Sequence, residues 1–144
     1  MKILSIIGHP ALVMSLFLLV MISGQHIGGF YLLYIIMGLY IGAYHSILAI
    51  LGMSMIFVGY KMFRKKLSIL KPALYLFGIA ILILSFISFF ENSNGYNQST
   101  FVHTVPLITL FLFGISALFC TVYSIILMVK ILKSREDTIG VVSR

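Results

Sequence analysis

The sequence predicts an all-α integral membrane protein: four transmembrane helices in an up-down bundle, with the N- and C-termini cytoplasmic. Of its 144 residues, 61% are hydrophobic and 9% are charged, whereas soluble domains carry about 25% charged residues. This length has room for four apolar helices of about 20 residues each and for little else. All ten Lys and Arg residues lie at residue 2, in 61–71 or in 130–144, and basic segments beside apolar helices mark the cytoplasmic side.

The first predicted span covers residues 3–22. A cleaved signal peptide is the alternative, with Lys2 as its basic region. Gly8-His9-Pro10 interrupts the apolar run, and the A-x-A pattern of a cleavage site is missing near Gly24. We therefore favour a retained helix, with Pro10 either kinking it or lying in its first turn. Residues 23–29 predict a tight polar turn after this span.

The second predicted span, residues 28–60, is unusually long. Its 33 residues hold no Asp, Glu, Lys or Arg, and one helix of this length would reach about 50 Å. The hydrocarbon core is about 30 Å thick. The helix would therefore tilt, project beyond the membrane, or break near Gly42–Ser46. One long helix is favoured, because each half of a broken one would be too short to span comfortably.

The remaining elements follow from the alternation of basic and polar segments. Residues 61–71 hold five basic residues and predict a cytoplasmic loop, and within it Arg64, Lys65 and Lys66 predict contact with anionic lipid headgroups. This confinement of charge argues against nucleic acid as the partner of a chain with net charge +7. The other predicted parts are a span at 72–90, an outer polar loop at 91–103, a span at 105–132 and an unstructured cytoplasmic tail at 134–144, so that residues 1–133 form the bundle.

Small residues recur at near-heptad spacing within the spans and predict helix-packing seams. In lipid there is no water to expel between helices, so close backbone approach has to hold them together. Packing within the chain is favoured over contact with a second copy. The seam of the second span is Gly38, Gly42, Ala49, Gly52 and Gly59; that of the fourth is Gly114, Ala117, Thr121 and Ser124; the third span has Gly78 and Ser85 on one face.

His45 is the main candidate for an intramembrane site, because ionisable groups inside a membrane often mark ligand sites or proton relays. Tyr34 shares its side of the predicted helix. The structural alternative is a histidine that hydrogen-bonds to a neighbouring helix. Haem b bound between two histidines would need a second His at the same depth. His9 lies nearer the inner end of its span than His45 does, so that this pairing is disfavoured.

A second candidate is a polar cluster on the outer face. Gln25, His26, Glu91 and His103 all fall in predicted outer segments, where they could meet a metal or a polar headgroup, although solvated loop residues are the simpler interpretation. Their spacing is not diagnostic, so no metal is predicted. No Asp or Glu lies within a span, which argues against a transport mechanism built on a membrane carboxylate.

These observations favour a non-enzymatic accessory or assembly subunit that acts through helix packing. The sequence contains no catalytic motif such as HExxH or a Gly-rich phosphate loop. The predicted location is the inner or plasma membrane, and the predicted partners are lipid and either further copies of the chain or a larger membrane complex. One alternative is an electron-transfer protein that binds haem or quinone through His45, and a second is an oligomeric channel or carrier. No cofactor is predicted outside the first alternative.

Overall fold

The chain is mostly helical in the computed structural model, which describes residues 6–23, 28–62, 68–91 and 97–142, without the side chains of residues 62, 99 and 135–142. The elements of this part of the chain are helix α1 (Pro10–Leu18), strands β1 (Met21–Ser23) and β2 (Gly28–Phe30), helix α2 (Tyr31–Tyr40), helix α3 (Tyr44–Met62), helix α4 (Leu70–Glu91), a 3-10 helix (Gln98–Phe101) and helix α5 (Thr104–Val142).

Three of the described helices are long and apolar enough to cross a membrane. They are Tyr44–Lys61 in α3, Leu70–Glu91 in α4 and Thr104–Ser134 in α5. The 18 residues of the α3 segment reach about 27 Å, close to the hydrocarbon thickness of about 30 Å. The fold is therefore that of a helical protein with three candidate membrane spans.

The long segment 28–60 is not one helix, and the prediction of an unbroken helix there is wrong. Helix α2 ends at Tyr40 and α3 begins at Tyr44. Gly42 lies between them with φ of 71°, a left-handed conformation that glycine adopts without steric cost. Two backbone bonds close the end of α2: Gly42 N–H to Leu39 O at 3.2 Å and Ala43 N–H to Gly38 O at 2.7 Å. This pair of bonds is the Schellman motif, which ends helices at glycine.

The predicted span of residues 3–22 is not one helix in the described part of the chain: residues 6 and 7 are helical, and a separate helix, α1, begins at Pro10. Helix α1 has nine residues, about 13 Å, which is too short to cross a membrane alone. Pro10 occupies its first turn, and His9 is the N-cap, with Nδ1 accepting the Ala11 N–H at 3.3 Å. The helix ends at Leu18 because the chain then turns into a strand at Met21.

Strands β1 and β2 form an antiparallel hairpin, with Ile22 opposite Gly29. It lies where the sequence predicted a polar turn at 23–29, and residues 24–27 are outside the described part. Thr109 Oγ1 accepts the Met21 N–H and Thr100 Oγ1 accepts the Ser23 N–H, each at 3.0 Å. The two threonines thereby satisfy strand N–H groups that a free sheet edge would leave unpaired.

The long helices pack as antiparallel neighbours. Helix α3 lies against α4 through Gly52 and Gly78, while Gly59 lies against Tyr75. Helix α4 in turn packs on α5, and α1 contacts both α3 and α5. The core contains aliphatic and aromatic side chains from all these helices.

Helix α5 is longer than the predicted span of 105–132. It continues to Val142 as one helix of 39 residues, about 58 Å long. The prediction of an unstructured tail at 134–144 is therefore wrong for residues 134–142, whose backbone remains helical. The charged run from Lys133 to Asp137 lies where the predicted tail begins.

Candidate functional site

His45 lies in the first turn of α3, where α2 crosses that turn. Its side chain is 9% exposed, and Nε2 lies 3.4 Å from the carbonyl oxygen of Tyr34. A carbonyl oxygen only accepts, so Nε2 carries the proton of this hydrogen bond. The structure thus brings together the two residues that the sequence singled out, but through the backbone of Tyr34 rather than its phenol.

Gly38 allows α2 to approach α3 this closely. A Cβ atom there would overlap Ser46 Oγ and would lie 2.7 Å from His45 Nε2. Since real Cβ atoms do not approach neighbours so closely, only glycine fits here while the side chains of Ser46 and His45 keep their positions. Gly38 therefore packs within the chain, and a second copy cannot use the face that His45 and Ser46 already cover.

Aromatic rings surround His45 on the side of α4. Its ring meets Phe89 edge to face at 5.1 Å and lies 6.3 Å from Tyr31. Tyr31 is fully buried and stacks on Phe86 at 4.5 Å. Edge-to-face and offset contacts of this kind are favourable beyond the area they bury, so they hold the α2–α3 junction on α4.

Ser85 ties the junction to α4 by hydrogen bonds. Its Oγ donates to the carbonyl oxygen of His45 at 2.7 Å and accepts from the Tyr31 hydroxyl at 2.9 Å. Tyr31 and Ser85 were not predicted as site residues. The sequence pattern indicates Ser85 only in part, because Ser85 lies on the small-residue face of the third span. The pattern contains no indication of Tyr31.

Among the buried polar side chains that the structure describes, Ser46 is the one whose hydroxyl lacks a hydrogen-bond partner. It is 0% exposed, and its Oγ has no hydrogen-bond partner. A buried hydroxyl without a partner costs free energy. Where α2 packs closely at Gly38, the buried Ser46 hydroxyl therefore costs folding free energy, which the surrounding contacts have to offset.

A cavity of about 410 Å³ opens beside the helix break. Its walls are the break itself, from Ile41 to His45, together with Phe89 at the end of α4 and Asn97 before the 3-10 helix. Three separate parts of the chain therefore converge on a space that His45 lines. Tyr40 and Tyr44 at the same break are 94% and 76% exposed.

Only part of the predicted outer polar cluster lies within the residues that the structure describes. Gln25 and His26 lie outside the described residues, while Glu91 and His103 are exposed side chains. In the described part of the chain, no three His, Cys, Asp or Glu side chains are grouped as metal ligands.

His9 and His45 lie at different depths. The His9 ring contacts Tyr60 edge to face at 5.3 Å, and the fifteen residues from His45 to Tyr60 span about 22 Å of helix. One haem iron cannot be bound by both residues, because each axial ligand has to contact the metal directly.

The predicted seam residues have several roles. Gly52, Gly59 and Ala49 are buried within the chain, whereas Gly42 is exposed and ends a helix. On α5, Ala117 and Ser124 are buried, and Ser124 Oγ donates to Cys120 O at 2.7 Å within its own helix. Thr121 is partly buried.

Gly114 differs from the other seam residues because it is exposed and no atom lies within 4 Å of where its Cβ would be. Two apolar grooves meet there. One of about 690 Å³ runs along α5 from Leu107 to Leu118, and one of about 450 Å³ lies between α5 and the C-terminal half of α4. The described part of the chain leaves this stretch of α5 unfilled.

The basic segments mark one end of the molecule. Lys61 is exposed at the end of α3, with Nζ 5.7 Å from the centre of the Phe57 ring, which is a cation–π distance. Lys130 and Lys133 are exposed on the last part of the described α5 surface. The predicted headgroup ligands Arg64, Lys65 and Lys66 lie outside the described residues.

Comparisons of the chain with protein families, with curated proteins and with solved structures gave no match.

Proposed function

We propose that the chain is an integral membrane protein that acts without catalysis, as an accessory or assembly subunit that binds a membrane-spanning helix of another protein. The observation that carries this proposal is the pair of apolar grooves that meet at Gly114. Glycine at such a position lets a second backbone approach closely, which is how helices associate in lipid. The exposed groove side chains, such as Phe111 and Leu118, offer dispersion contacts to that helix.

The proposed topology is a four-crossing bundle with both termini in the cytoplasm. Helix α1 and the β-hairpin together form the first crossing, and α3, α4 and α5 form the other three. The positions of Lys61, Lys71 and Lys133 support this orientation, because cytoplasmic segments carry an excess of Lys and Arg. The exposed tyrosines 40 and 44 support it too, since aromatic residues favour the membrane–water boundary.

Labelling of single cysteines from one side of the membrane tests the topology. In a Cys120→Ala background, a membrane-impermeant maleimide is expected to label Tyr44→Cys in intact cells. Lys71→Cys and Lys133→Cys are expected to react only after the membrane is opened. Labelling of all three positions from the same side would contradict the four-crossing bundle.

Purification in mild detergent tests the docking role. The wild-type chain is expected to co-purify with a membrane protein in a fixed ratio, and Gly114→Leu to lose it, because the new side chain fills the junction of the grooves. Val129→Leu is the matched control, since Val129 is exposed on α5 outside both grooves. Recovery of the wild type as a partner-free monomer, or equal retention of the partner by Gly114→Leu, would contradict the proposal.

A further inference from the structure

The cavity beside the helix break combines features that the groove on α5 lacks. It contains a histidine and an amide, contributed by His45 and Asn97, and its remaining walls are backbone, apolar side chains and Tyr44. At about 410 Å³ it falls within the range of small-molecule sites, about 300–1,000 Å³. Such sites are mostly apolar, with a few polar groups that orient the ligand.

The hydrogen bond of His45 determines what the ring can offer to a ligand. Its Nε2–H is directed to the carbonyl oxygen of Tyr34 at 3.4 Å, and the Nε2 and Cε1 atoms are covered by Gly38 of α2. In the neutral ring the other nitrogen, Nδ1, has a free lone pair and accepts. A ligand that binds this ring therefore has to donate a hydrogen bond to it.

The other polar groups at the cavity suit a ligand oxygen. The cavity lies at the amino end of α3, where backbone N–H groups favour electron-rich atoms. The Asn97 amide both donates and accepts. Phe89 supplies an aromatic side chain, and aromatic rings pair favourably in edge-to-face or offset arrangements.

The position of the cavity restricts the ligand further. The exposed tyrosines 40 and 44 place the break at the level where aromatic side chains meet the membrane boundary. A ligand there can arrive laterally from the lipid. Among the described lining residues there is no Lys or Arg to neutralise an anion, so the walls suit an uncharged ring better than a phosphate.

We propose that this cavity binds the head group of a membrane-soluble quinol, with one hydroxyl donating to His45 Nδ1 and the other bound by Asn97. The oxidised quinone has two carbonyl oxygens and no hydroxyl, so it cannot donate to Nδ1. The site therefore favours the reduced ligand over the oxidised one. This site is separate from the groove at Gly114 and does not depend on the proposed docking role.

Binding of both redox forms of one ligand tests this proposal. The chain is reconstituted in phosphatidylcholine nanodiscs and dialysed anaerobically against 2-methyl-1,4-naphthoquinol or the corresponding quinone, with empty nanodiscs as the blank for partition into lipid. We expect saturable binding of the quinol, at least tenfold tighter than binding of the quinone. Equal affinity for the two forms, or no binding above the blank, would overturn the proposal.

Three variants separate the site from unspecific binding. His45→Phe keeps a ring of similar size but removes the acceptor, and Ala43→Leu fills the cavity without removing a polar side chain; each is expected to weaken quinol binding at least tenfold. Tyr40→Phe is the matched control, because Tyr40 is exposed at the same helix break and is not among the residues that line the cavity, and its affinity is expected to stay within twofold of wild type. If His45→Phe does not fold, Ala43→Leu still tests the site, and undiminished binding by Ala43→Leu would refute it.

Discussion

Gly52 of α3 and Gly78 of α4 face each other so closely that a Cβ atom on either would lie 2.9 Å from the carbonyl oxygen of the other. Side-chain atoms of Leu82 and Ile56 lie at least as close to these two Cβ positions. The carbonyl oxygens are the firmer obstacle, because backbone cannot rotate away as a side chain can. The same pair of helices meets again at Gly59 and Tyr75. The α3–α4 contact is thus a close backbone approach of the kind that stabilises helix pairs in lipid.

We expect Gly52→Ala and Gly78→Ala each to destabilise the protein by about 1–3 kcal/mol, the usual cost of forcing extra atoms into a packed contact. The helices would have to separate to accommodate the methyl group. The measurement is unfolding in detergent followed by circular dichroism.

Gly114→Ala is the control for these two variants. Nothing lies within 4 Å of its Cβ position, and alanine is favoured over glycine in helices by roughly 0.5–1 kcal/mol. Its stability is expected to equal or slightly exceed that of the wild type. If all three alanine variants unfold at the same point, the close contact does not stabilise the fold.

The prediction for Gly42 differs, because Gly42 is constrained by its backbone conformation and not by contact with a neighbouring atom. No atom lies near its Cβ position, but its φ is 71°. Gly42→Ala is expected to cost about 1–2 kcal/mol, the penalty of the left-handed conformation for residues with a Cβ. Gly42→Asn is expected to recover part of the loss, since asparagine tolerates this conformation better.

The measurement is again the unfolding midpoint, with the α-helical content as a second readout. A Gly42→Ala variant that is more stable than the wild type and gains helix would indicate that α2 and α3 join into the one long helix that the sequence suggested. Equal stability of Gly42→Ala and Gly42→Asn below wild type would argue that backbone conformation is not the cause.

Much of the helical fold could be predicted from the sequence because apolar length and the positions of Lys and Arg depend on chain segments, not on tertiary contacts. Helix α4, Leu70–Glu91, covers the predicted 72–90 closely. The break at Gly42 was missed because glycine serves both as a packing residue and as a helix end. The structure separates the two roles: Gly38 packs against His45, whereas Gly42 ends the helix with a φ of 71°.

The candidate site was predictable only in part. His45 could be identified as an ionisable group inside an apolar segment, and the structure places it at a cavity. Its partners Ser85 and Phe89 lie more than 35 residues away in the chain, and periodicity within one helix contains no information about which residues face it across a helix pair. The β-hairpin was missed for a related reason, since its stability depends on Thr100 and Thr109.

The third prediction concerns the first of these threonines, Thr100. Valine has the shape of threonine without the hydroxyl, so Thr100→Val leaves the Ser23 N–H without its acceptor. Thr100→Val also removes the longer bond from Thr100 Oγ1 to the Ser23 carbonyl oxygen, at 3.4 Å. Thr100 is fully buried and its bond with the Ser23 N–H is partly buried, and a buried donor that loses its acceptor costs about 1–3 kcal/mol. Thr100→Val is expected to lower stability by that amount and to speed hydrogen exchange at Ser23. The matched control is Thr104→Val, because Thr104 is exposed; equal losses in both variants would contradict the capping role.

The last prediction concerns the hydrogen bonds that join Tyr31, Ser85 and His45. Ser85→Ala removes the side-chain acceptor of the Tyr31 hydroxyl and the donor to the His45 carbonyl, while the Ser85 carbonyl oxygen, 3.3 Å from the Tyr31 hydroxyl, remains as an acceptor. Hydrogen bonds between helices in lipid contribute about 0.6–2 kcal/mol, so Ser85→Ala is expected to cost about 1–2 kcal/mol. Tyr31→Phe removes the contacts of its hydroxyl with the two oxygens of Ser85. It is expected to cost less, because it keeps the bond from Ser85 to His45 and leaves the ring stacked on Phe86.

A double-mutant cycle of Ser85→Ala and Tyr31→Phe measures the shared bond, because residues in one network show non-additive losses of about 0.5–3 kcal/mol. The double variant is expected to be less destabilised than the sum of the two single variants. Ser46→Ala is the control, since it removes a buried hydroxyl that has no partner, and its stability is expected to stay level or rise by up to about 1 kcal/mol. Strict additivity in the cycle would show that Tyr31 and Ser85 act independently, and the α2–α3 junction would then depend on its aromatic contacts with Phe89 and not on the hydroxyl pair.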